Sequence, residues 1–273
     1  MLSVNLAAAA GNAVYMDCDV EEPNGHLFFK PVPFKEEPVT AAIPALDPAL
    51  CTGCRKCVDF CAFHALALVG HKPILFDEVC HSCGGCSLLC PTGAIRKREK
   101  NVGTVSSGRS GGVSVYTGRL NIGEASGIPI IRRLLRESAR EKDRPVFLDC
   151  PPGSSCAVME SIRDADFCIL AAEPTVFGAH NLAMVFDLVK LFGKPCGVVL
   201  NKCLAEENPS EAFCLEKHIP ILGRIPFDSG LGMLNAEGKI AVRESERFRQ
   251  MFTSLLKQTE KEARHETAFD SQW

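Results

Sequence analysis

The sequence predicts an α/β protein in which a parallel sheet is covered by helices on both faces and a small cysteine-rich module is inserted. Two observations carry this prediction. Short continuous apolar runs alternate with amphipathic helical patterns, which is typical of strands buried on both faces of a parallel sheet. Eight of the 15 cysteines fall between Cys51 and Cys90, where the alternation is interrupted.

Five apolar runs are predicted to be strands, and several end on a polar residue such as Asp17, Asp149 or Asn201. The strands are expected at residues 13–16, 146–148, 167–171, 197–200 and 219–225. Helical periodicity is found at residues 128–141, 180–191, 209–217 and 244–263. The proline-rich approach to the cysteines, the basic run 96–100 and the glycine- and serine-rich residues 106–112 are interpreted as irregular connections, with the basic run forming solvated surface.

Composition excludes several classes of protein. A formal net charge of -3 argues against nucleic-acid binding through bulk charge, and 46% hydrophobic with 23% charged residues argues against disorder. No apolar run reaches the roughly 18 residues of a membrane span, so a membrane location is not expected. The cysteine pattern does not suggest a secreted disulfide framework, and we see no charged leader. We predict a cytoplasmic chain with reduced thiols that bind metal.

The clustered cysteines form two sets with identical spacing, C-x2-C-x2-C-x3-C. Three cysteines at two-residue gaps can surround one side of a compact iron–sulfur cubane. Gly53, Gly84 and Gly85 allow the backbone to turn tightly, so that its amides face the sulfurs. Zinc is the alternative, although zinc sites usually combine C-x2-C pairs separated by a longer loop.

Residues 46–100 resemble a bacterial two-cluster ferredoxin. In such ferredoxins the fourth cysteine of each set ligates the other cluster. The resemblance therefore implies one [4Fe–4S] cluster on Cys51, Cys54, Cys57 and Cys90, and a second on Cys80, Cys83, Cys86 and Cys61. Two such clusters relay single electrons, which implies redox proteins as partners.

Two further motifs end predicted strands on aspartate. Asp17 and Asp19 lie in D-C-D-V-E-E-P-N, and Asp149 and Gly153 lie in D-C-P-P-G. A carboxylate at the carboxyl end of a parallel strand can hold Mg²⁺ through water, and the amide of Gly153 can face a γ-phosphate. Taken singly, each aspartate is also typical of a turn or a helix cap.

The order of these motifs resembles that of MinD-like ATPases with a deviant Walker A loop, in particular the subgroup with an inserted ferredoxin domain. The later motifs are E-P-T at 173–175, N-K at 201–202 and I-P-F-D at 225–228. The resemblance implies a P-loop NTPase-like sheet formed by residues 1–45 and 101–273, with a small α+β ferredoxin-like domain of two [4Fe–4S] clusters inserted at 46–100.

The resemblance also assigns roles to single residues. Asp17 and Asp19 match the switch I pair, and Asp19 is expected to orient the attacking water. Asp149 and Gly153 match the Walker B and switch II segment, and ATP with Mg²⁺ is the implied ligand. Asn201 matches the asparagine that reads adenine, and Pro226 lies in the loop that packs beside the base.

The phosphate-binding motif G-x-x-x-x-G-K-[ST] is absent from the 273 residues. Residues 1–10 resemble the helix that follows this motif in the family, with Asn5 at the matching place. We therefore expect one strand and the loop, roughly 10 to 16 residues, to precede Met1 in a longer protein. Omitting that strand leaves unpaired backbone edges on both neighbours. An ATPase that has discarded its loop is the alternative.

Three functions are considered from these features. The first is a redox-linked ATPase whose nucleotide state controls electron transfer at the clusters. The second is an electron-transfer or binding module with an inactive nucleotide domain. The third is an iron–sulfur assembly or carrier protein, which the lack of a further C-x-x-C pair disfavours. The resemblance makes a homodimer plausible. The apolar stripe of residues 248–256 is expected to pack on the sheet rather than on a membrane.

Overall fold

The fold is given by a computed structural model that describes residues 1–141, 143–204 and 208–270, with side chains as far as residue 264. The strands in these residues are β1 (Val14–Asp17), β2 (Val32–Leu46), β3 (Leu66–Val69), β4 (Lys72–Leu75), β5 (Ile95–Ser110), β6 (Val113–Leu120), β7 (Val146–Asp149), β8 (Cys168–Ala172), β9 (Cys196–Cys203) and β10 (Ile221–Pro226). The helices are α1 (Leu2–Ala10), α2 (Gly25–Phe29), α3 (Lys56–Phe60), α4 (Gly85–Leu88), α5 (Ile128–Ser138), α6 (Cys156–Ile162), α7 (Val176–Leu191), α8 (Pro209–Glu216), α9 (Ser229–Ala236), α10 (Ala241–Glu244) and α11 (Glu246–Asp270).

Parallel strands dominate the sheets, which confirms the predicted fold class. One sheet has the order β2-β5-β6-β1-β7, and β1 is parallel to both β6 and β7. The other has the order β10-β9-β8 and is parallel throughout. The structure departs from the prediction in two ways, because β5 is antiparallel to its neighbours and these strands form two sheets; β3 and β4 pair as a separate antiparallel hairpin.

Alternation along β1 distributes its side chains between two cores. Tyr15 points into the larger core, which also receives residues of β6, β9, β10, α1 and α11. Val14 and Met16 point into the second core, where they pack with α5 and with residues of β2 and β5. A third core joins α6, α7 and α8 to β8 and β9. Helices therefore cover both faces, and the larger core contacts both sheets.

The connections to the cysteine-rich module (residues 46–100) are regular strands, so the expectation of irregular connections was wrong. β2 includes Pro33, Pro38 and Pro44, and β5 includes the whole basic run 96–100. In the part of the chain that the structure describes, β2 pairs with β5 alone. An edge strand tolerates proline because the missing N–H can face away from the partner strand. These prolines interrupt the pattern by which strands are recognised in a sequence, so this strand was not predicted.

The register of β5 carries the cysteine-rich module beyond one edge of the sheet. Gly103 of β5 is the partner of Leu120, the last residue of β6. Earlier residues of β5 pair only with β2. Residues 40–46 and 95–101 thus form a two-stranded ribbon, named here the β2–β5 ribbon. Because β6 and β1 are parallel, the ribbon projects from the edge at which β1 ends in Asp17.

Each of the two sheets ends in a strand that lacks a second partner, β7 in one sheet and β8 in the other. Among all the residues that the structure describes, β7 pairs only with β1, and β8 pairs only with β9. All four residues of β7 are half-buried, although those of its neighbour β1 are fully buried. β7 and β8 therefore present two open strand edges.

The C-terminal helix α11 packs against the larger core. Phe248, Phe252, Leu255 and Leu256 of α11 are buried in the larger core, as expected for the apolar stripe. No helix among the described residues is long and apolar enough to cross a membrane.

Asn5 joins the first helix to a segment near the other end of the chain. Its side chain is 2% exposed, its Oδ1 accepts a hydrogen bond from Val242 N at 3.0 Å, and its Nδ2 donates to Met1 O at 2.9 Å. We predict that Asn5→Leu lowers the free energy of unfolding by about 1–3 kcal/mol, because the buried Val242 amide loses its acceptor. Thermal unfolding checks this, with Asn12→Leu at an exposed position as the control. Equal stability of the two variants would contradict it.

Candidate functional site

Two cavities in the cysteine-rich module are each lined by four cysteines. The first, of about 380 Å³ including open solvent, is lined by Cys51, Cys54, Cys57 and Cys90. The second, of about 350 Å³, is lined by Cys61, Cys80, Cys83 and Cys86. Each cavity thus receives three cysteines from one set and the fourth from the other, which is the exchange that the ferredoxin resemblance implies.

The arrangement of the cysteines bears on the kind of group that the cavities fit. Among the described residues, no three histidine, cysteine or acidic side chains converge closely enough to hold a single metal ion. A tetrahedral zinc ion needs its sulfurs about 2.3 Å from one centre. Four cysteines that line one cavity without converging on a single point fit a polynuclear group, so the donor set agrees with an iron–sulfur cubane better than with zinc.

The two cysteine loops share one backbone conformation. Gly53 and Arg55 have φ of 70° and 63°, and the equivalent residues Ser82 and Gly84 have φ of 56° and 75°. Left-handed residues at these positions turn each loop around its cavity. Gly85 is needed for a different reason, because a Cβ there would lie 2.1 Å from the Phe60 ring. The internal repeat in sequence is therefore also a repeat in backbone geometry.

A small core lies between the cavities. It contains Leu66, Cys86 and Ile95, with Cys57 and Cys90 packed against it. Burial raises the pKa of the Cys57, Cys80 and Cys86 thiols. For Cys90, the pKa-raising effect of burial is outweighed by hydrogen bonds from the Thr92 side chain and from nearby backbone amides, so its pKa is lowered. A bound metal would favour the thiolate form at all four.

The predicted acidic residues come together on neighbouring strands. Asp17 and Asp149 are paired in register as the last residues of β1 and β7. Asp17 Oδ2 accepts hydrogen bonds from the backbone N–H of Asn24 at 2.9 Å and of Gly25 at 2.8 Å. Asp19 follows in the loop and is half-buried. The carboxyl edge of the larger sheet therefore carries three carboxyl groups.

Burial dominates the acid–base properties of this edge. Asp17 is only 2% exposed, and burial raises its pKa to about 7, against the opposing effect of the Gly25 and Asn24 amides. Burial also raises the pKa of Asp19. A divalent cation would relieve this cost, because it stabilises the ionised carboxylates.

Two donors to Asp149 were missed by sequence analysis. Tyr15 OH and Ser3 Oγ each donate to Asp149 Oδ2 at 2.6 Å. Tyr15 is fully buried, and burial with the adjacent carboxylates raises its pKa. The period of two along a strand could have found Tyr15, because residues 15 and 17 share a face of β1. No sequence pattern joins Ser3 to β7.

The remaining predicted nucleotide residues occupy loops and strand ends. Gly153 is exposed in the turn after β7, with φ of 82°. Asn201 lies inside β9, whereas it was expected to follow a strand, and Pro226 is the last residue of β10. Beside them, Lys202 Nζ contacts Glu173 Oε1 at 2.6 Å across the ends of β8 and β9.

The other thiols are mostly packed as small apolar side chains. Cys168 and Cys214 are buried in the third core, and burial raises the pKa of each to about 11. Burial raises the pKa of Cys150 to about 12. Thiols of such low acidity are poor nucleophiles and poor metal ligands at neutral pH.

Comparison with known proteins agrees with both parts of the chain. A family described as a 4Fe-4S dicluster domain matches residues 43–95. Uncharacterized ferredoxin MJ0199 of Methanocaldococcus jannaschii is 35% identical over 54 residues, which cover 19% of this chain and 87% of that protein. Uncharacterized protein MJ0578 of the same organism is 29% identical over 192 residues, covering 70% of this chain and 67% of the relative.

Solved structures share the fold of almost the whole chain. The cell division ATPase MinD of Pyrococcus furiosus has a TM-score of 0.56 and 18% identity, covering 95% of this chain and 92% of MinD. MinD of Pyrococcus horikoshii, complexed with Mg-ADP, has a TM-score of 0.54 and 17% identity, covering 93% and 86%. A ParA family ATPase of Chlorobium tepidum has a TM-score of 0.51 and 11% identity, covering 93% and 89%.

The solved structures match the parallel-rich sheets of this chain, and the 4Fe-4S dicluster family matches its two sets of cysteines. The chain has the fold of the MinD/ParA P-loop ATPases and carries within it a 4Fe-4S dicluster domain of the ferredoxin type.

Proposed function

We propose that this protein is a redox-linked ATPase, in which the nucleotide state of the ATPase-like fold controls electron transfer at two [4Fe–4S] clusters. The observation that carries the proposal is the direction of the β2–β5 ribbon. It holds the two cysteine-lined cavities beyond the same sheet edge that carries Asp17 and Asp149. Two unrelated functions would not require this common edge.

The cavities support one cluster each. Cys51, Cys54, Cys57 and Cys90 would hold the first, and Cys61, Cys80, Cys83 and Cys86 the second. When bound, such clusters accept and donate single electrons. The chain itself supplies thiolates, a small apolar core between the cavities and amides near the sulfurs, as in the hydrogen bond from Ala65 N to Cys61 Sγ at 3.3 Å. Redox proteins are the proposed partners.

The acidic edge supports the binding of ATP with Mg²⁺. Asp17 and Asp149 would hold the hydrated cation, Asp19 would orient the attacking water, and the Gly153 amide would face the γ-phosphate. Asn201 and Pro226 would lie beside the base. Mg-ADP in the Pyrococcus horikoshii MinD complex supports the same ligand class here.

The phosphates need a further element, since the 273 residues contain no G-x-x-x-x-G-K-[ST] motif. The open edges of β7 and β8 can each pair with one more strand. We propose that a strand carrying a phosphate-binding loop pairs with these edges in the form that binds ATP. Its loop would then begin beside Asp149, where backbone amides at the start of α1 could face phosphate.

An electron-transfer protein with an inactive nucleotide domain is the second candidate, because the 273 residues themselves contain no G-x-x-x-x-G-K-[ST] motif. One experiment separates the two. ATP turnover and ATP binding are measured anaerobically with the clusters oxidised and with the clusters reduced by dithionite. A redox-linked ATPase has different turnover in the two states. Absence of ATP binding in both states, also after the strand and loop are added before Met1, supports the second candidate.

Exchange of the fourth cysteine predicts which cluster depends on Cys61. We expect Cys61→Ser to lose the cluster at the second cavity and to retain the first, because Cys61 lines the second cavity with Cys80, Cys83 and Cys86. Anaerobic reconstitution should then give about half of the wild-type iron, with one EPR signal missing. Cys156→Ser, an exposed cysteine outside both cavities, is the control. Selective loss of the first cluster would show that the exchange is wrong.

The two acidic roles predict different kinetic effects. In the protein extended by a phosphate-binding strand and loop, Asp19→Ala should reduce ATP turnover at least about 100-fold with little change in ATP affinity, since it acts on the water. Asp149→Ala should weaken Mg²⁺-dependent binding as well. Isothermal titration with and without Mg²⁺, together with steady-state turnover, measures both effects. Normal turnover of Asp19→Ala rules out its role.

The raised pKa of Asp17 predicts a pH-dependent stability. The ionised form is disfavoured in the folded state, so this residue reduces stability increasingly as pH rises from the ordinary value of 3.8 to about 7. In magnesium-free buffer, the stability gained by Asp17→Asn should therefore grow by about 1 kcal/mol between pH 6 and pH 8. Thermal unfolding checks it, with Asp164→Asn as an exposed control. A gain that does not change with pH contradicts the assignment.

A further inference from the structure

Lys100, the last residue of the basic run, joins three separate segments of the chain. Its Nζ donates to Asp77 O at 3.2 Å and pairs with Glu124 Oε2 at 2.9 Å. The Lys100 and Glu124 side chains are only 18% and 14% exposed. The sequence suggested that the whole basic run forms solvated surface. For Lys100 this expectation was wrong, because its side chain is mostly buried. A pair shielded in this way is also weakened less by salt than an exposed one.

On one side, Lys100 holds the turn that leads into the second cysteine set. Asp77 begins a 3-10 turn, Asp77–Val79, that directly precedes Cys80. The Asp77 carbonyl accepts the Cys80 N–H at 3.3 Å as well as the Lys100 ammonium. Arg98 pairs with the Asp77 carboxylate from the same strand. The position of the Cys80 loop thus depends on a carbonyl that Lys100 contacts.

On the other side, Glu124 belongs to the loop of residues 121–127, named here the β6–α5 loop. Asn121 joins this loop to β5, because its N–H donates to Val102 O at 3.0 Å and its Nδ2 donates to Asn101 O at 3.2 Å. Glu124 N in turn donates to Asn121 O at 3.2 Å. The backbone of Glu124 is therefore held by the start of the loop.

The β6–α5 loop also contacts the segment that contains Asp19. Leu120, immediately before the loop, donates its N–H to Val20 O at 2.7 Å. At the end of the loop, a Cβ on Gly127 would lie 2.3 Å from Val20 Cγ2, so this backbone lies directly against the Val20 side chain. Val20 itself is 2% exposed and follows Asp19 in the chain. The segment that contains Asp19 and the β6–α5 loop are therefore in direct contact.

We propose that the Lys100–Glu124 ion pair is a positioning joint between the Asp19 loop and the Cys80 loop, which deepens the proposed function and rests on it for its role in redox coupling. The contiguous contacts run from Asp19 and Val20 through Leu120 and the β6–α5 loop to Glu124. From there Lys100 continues them to Asp77 and Cys80. Negative charge gained on the module side draws the ammonium toward Asp77 and away from Glu124.

The joint is tested without nucleotide by hydrogen exchange in the cluster-loaded full chain. Glu124→Gln should speed exchange in peptides that contain Val79 and Cys80 about fivefold, although Glu124 lies outside the cysteine-rich module. Lys100→Met should speed exchange of the Leu120 amide by a similar factor, although Lys100 does not contact Leu120. The double variant should resemble Lys100→Met, because that variant already lacks the ion pair that Glu124→Gln removes.

Matched controls separate the joint from general loosening. Arg132→Met removes another ion pair between distant segments, Arg132–Glu160, and should change exchange in neither region. Lys100→Arg keeps the charge and should restore most of the wild-type protection. Iron content equal to wild type shows that each variant is folded and loaded. Unchanged exchange at Val79 and Cys80 in Glu124→Gln, or at Leu120 in Lys100→Met, overturns the proposal.

A second arm connects the joint to redox state. Reduction of the wild-type protein by dithionite should change exchange of the Leu120 amide, and Glu124→Gln should abolish that response. A response that persists in Glu124→Gln overturns the coupling role. Failure to bind ATP, also after the phosphate-binding strand and loop are added, contradicts the proposed function only, because neither arm uses nucleotide.

Discussion

The pairing of β2 with β5 is the constraint on which the arrangement of the whole molecule depends. From Val32 to Leu46 one strand runs from the larger sheet to the cysteine-rich module, and β5 returns the chain beside it, with register shifts between Val32 and Lys35 and between Val39 and Thr40. Where β6 ends at Leu120, β2 and β5 continue to pair with each other, and their backbone hydrogen bonds fix the direction of the ribbon. The module therefore extends from the carboxyl edge of the sheet, and the joint at Lys100 can form only because of this direction.

A second constraint is the cost of burying acidic groups at that edge. Asp17 is almost fully buried beside Asp149, and backbone amides, Tyr15 and Ser3 satisfy their oxygens. These hydrogen bonds compensate only part of the cost, as the raised pKa of Asp17 indicates. Neighbouring carboxyl groups that are buried without a compensating positive charge are typical of sites that bind a cation, because the ion supplies that charge.

Sequence patterns predicted the parts of the fold in which one local rule decides the structure. The strands that end at Asp17 and Asp149 are continuous apolar runs, and the two cysteine sets repeat with one spacing. β2 was missed because its prolines oppose a strand locally, while pairing at an open edge permits one. Donation from Ser3 to Asp149 joins residues far apart in the chain, and no periodicity encodes such a contact.

The open edges of β7 and β8 relate the pairing of the sheets to the binding of the proposed nucleotide. β7 is half-buried, and Phe147 on β7 and Ile169 on β8 pack only partly against the larger core. A strand between them would pair both edges and shield these side chains, so apolar burial and backbone hydrogen bonds would favour it together. The loop after such a strand would emerge at the carboxyl edge beside Asp149 and the start of α1. Binding of phosphate and closure of the sheet would then stabilise each other, because both require the same segment.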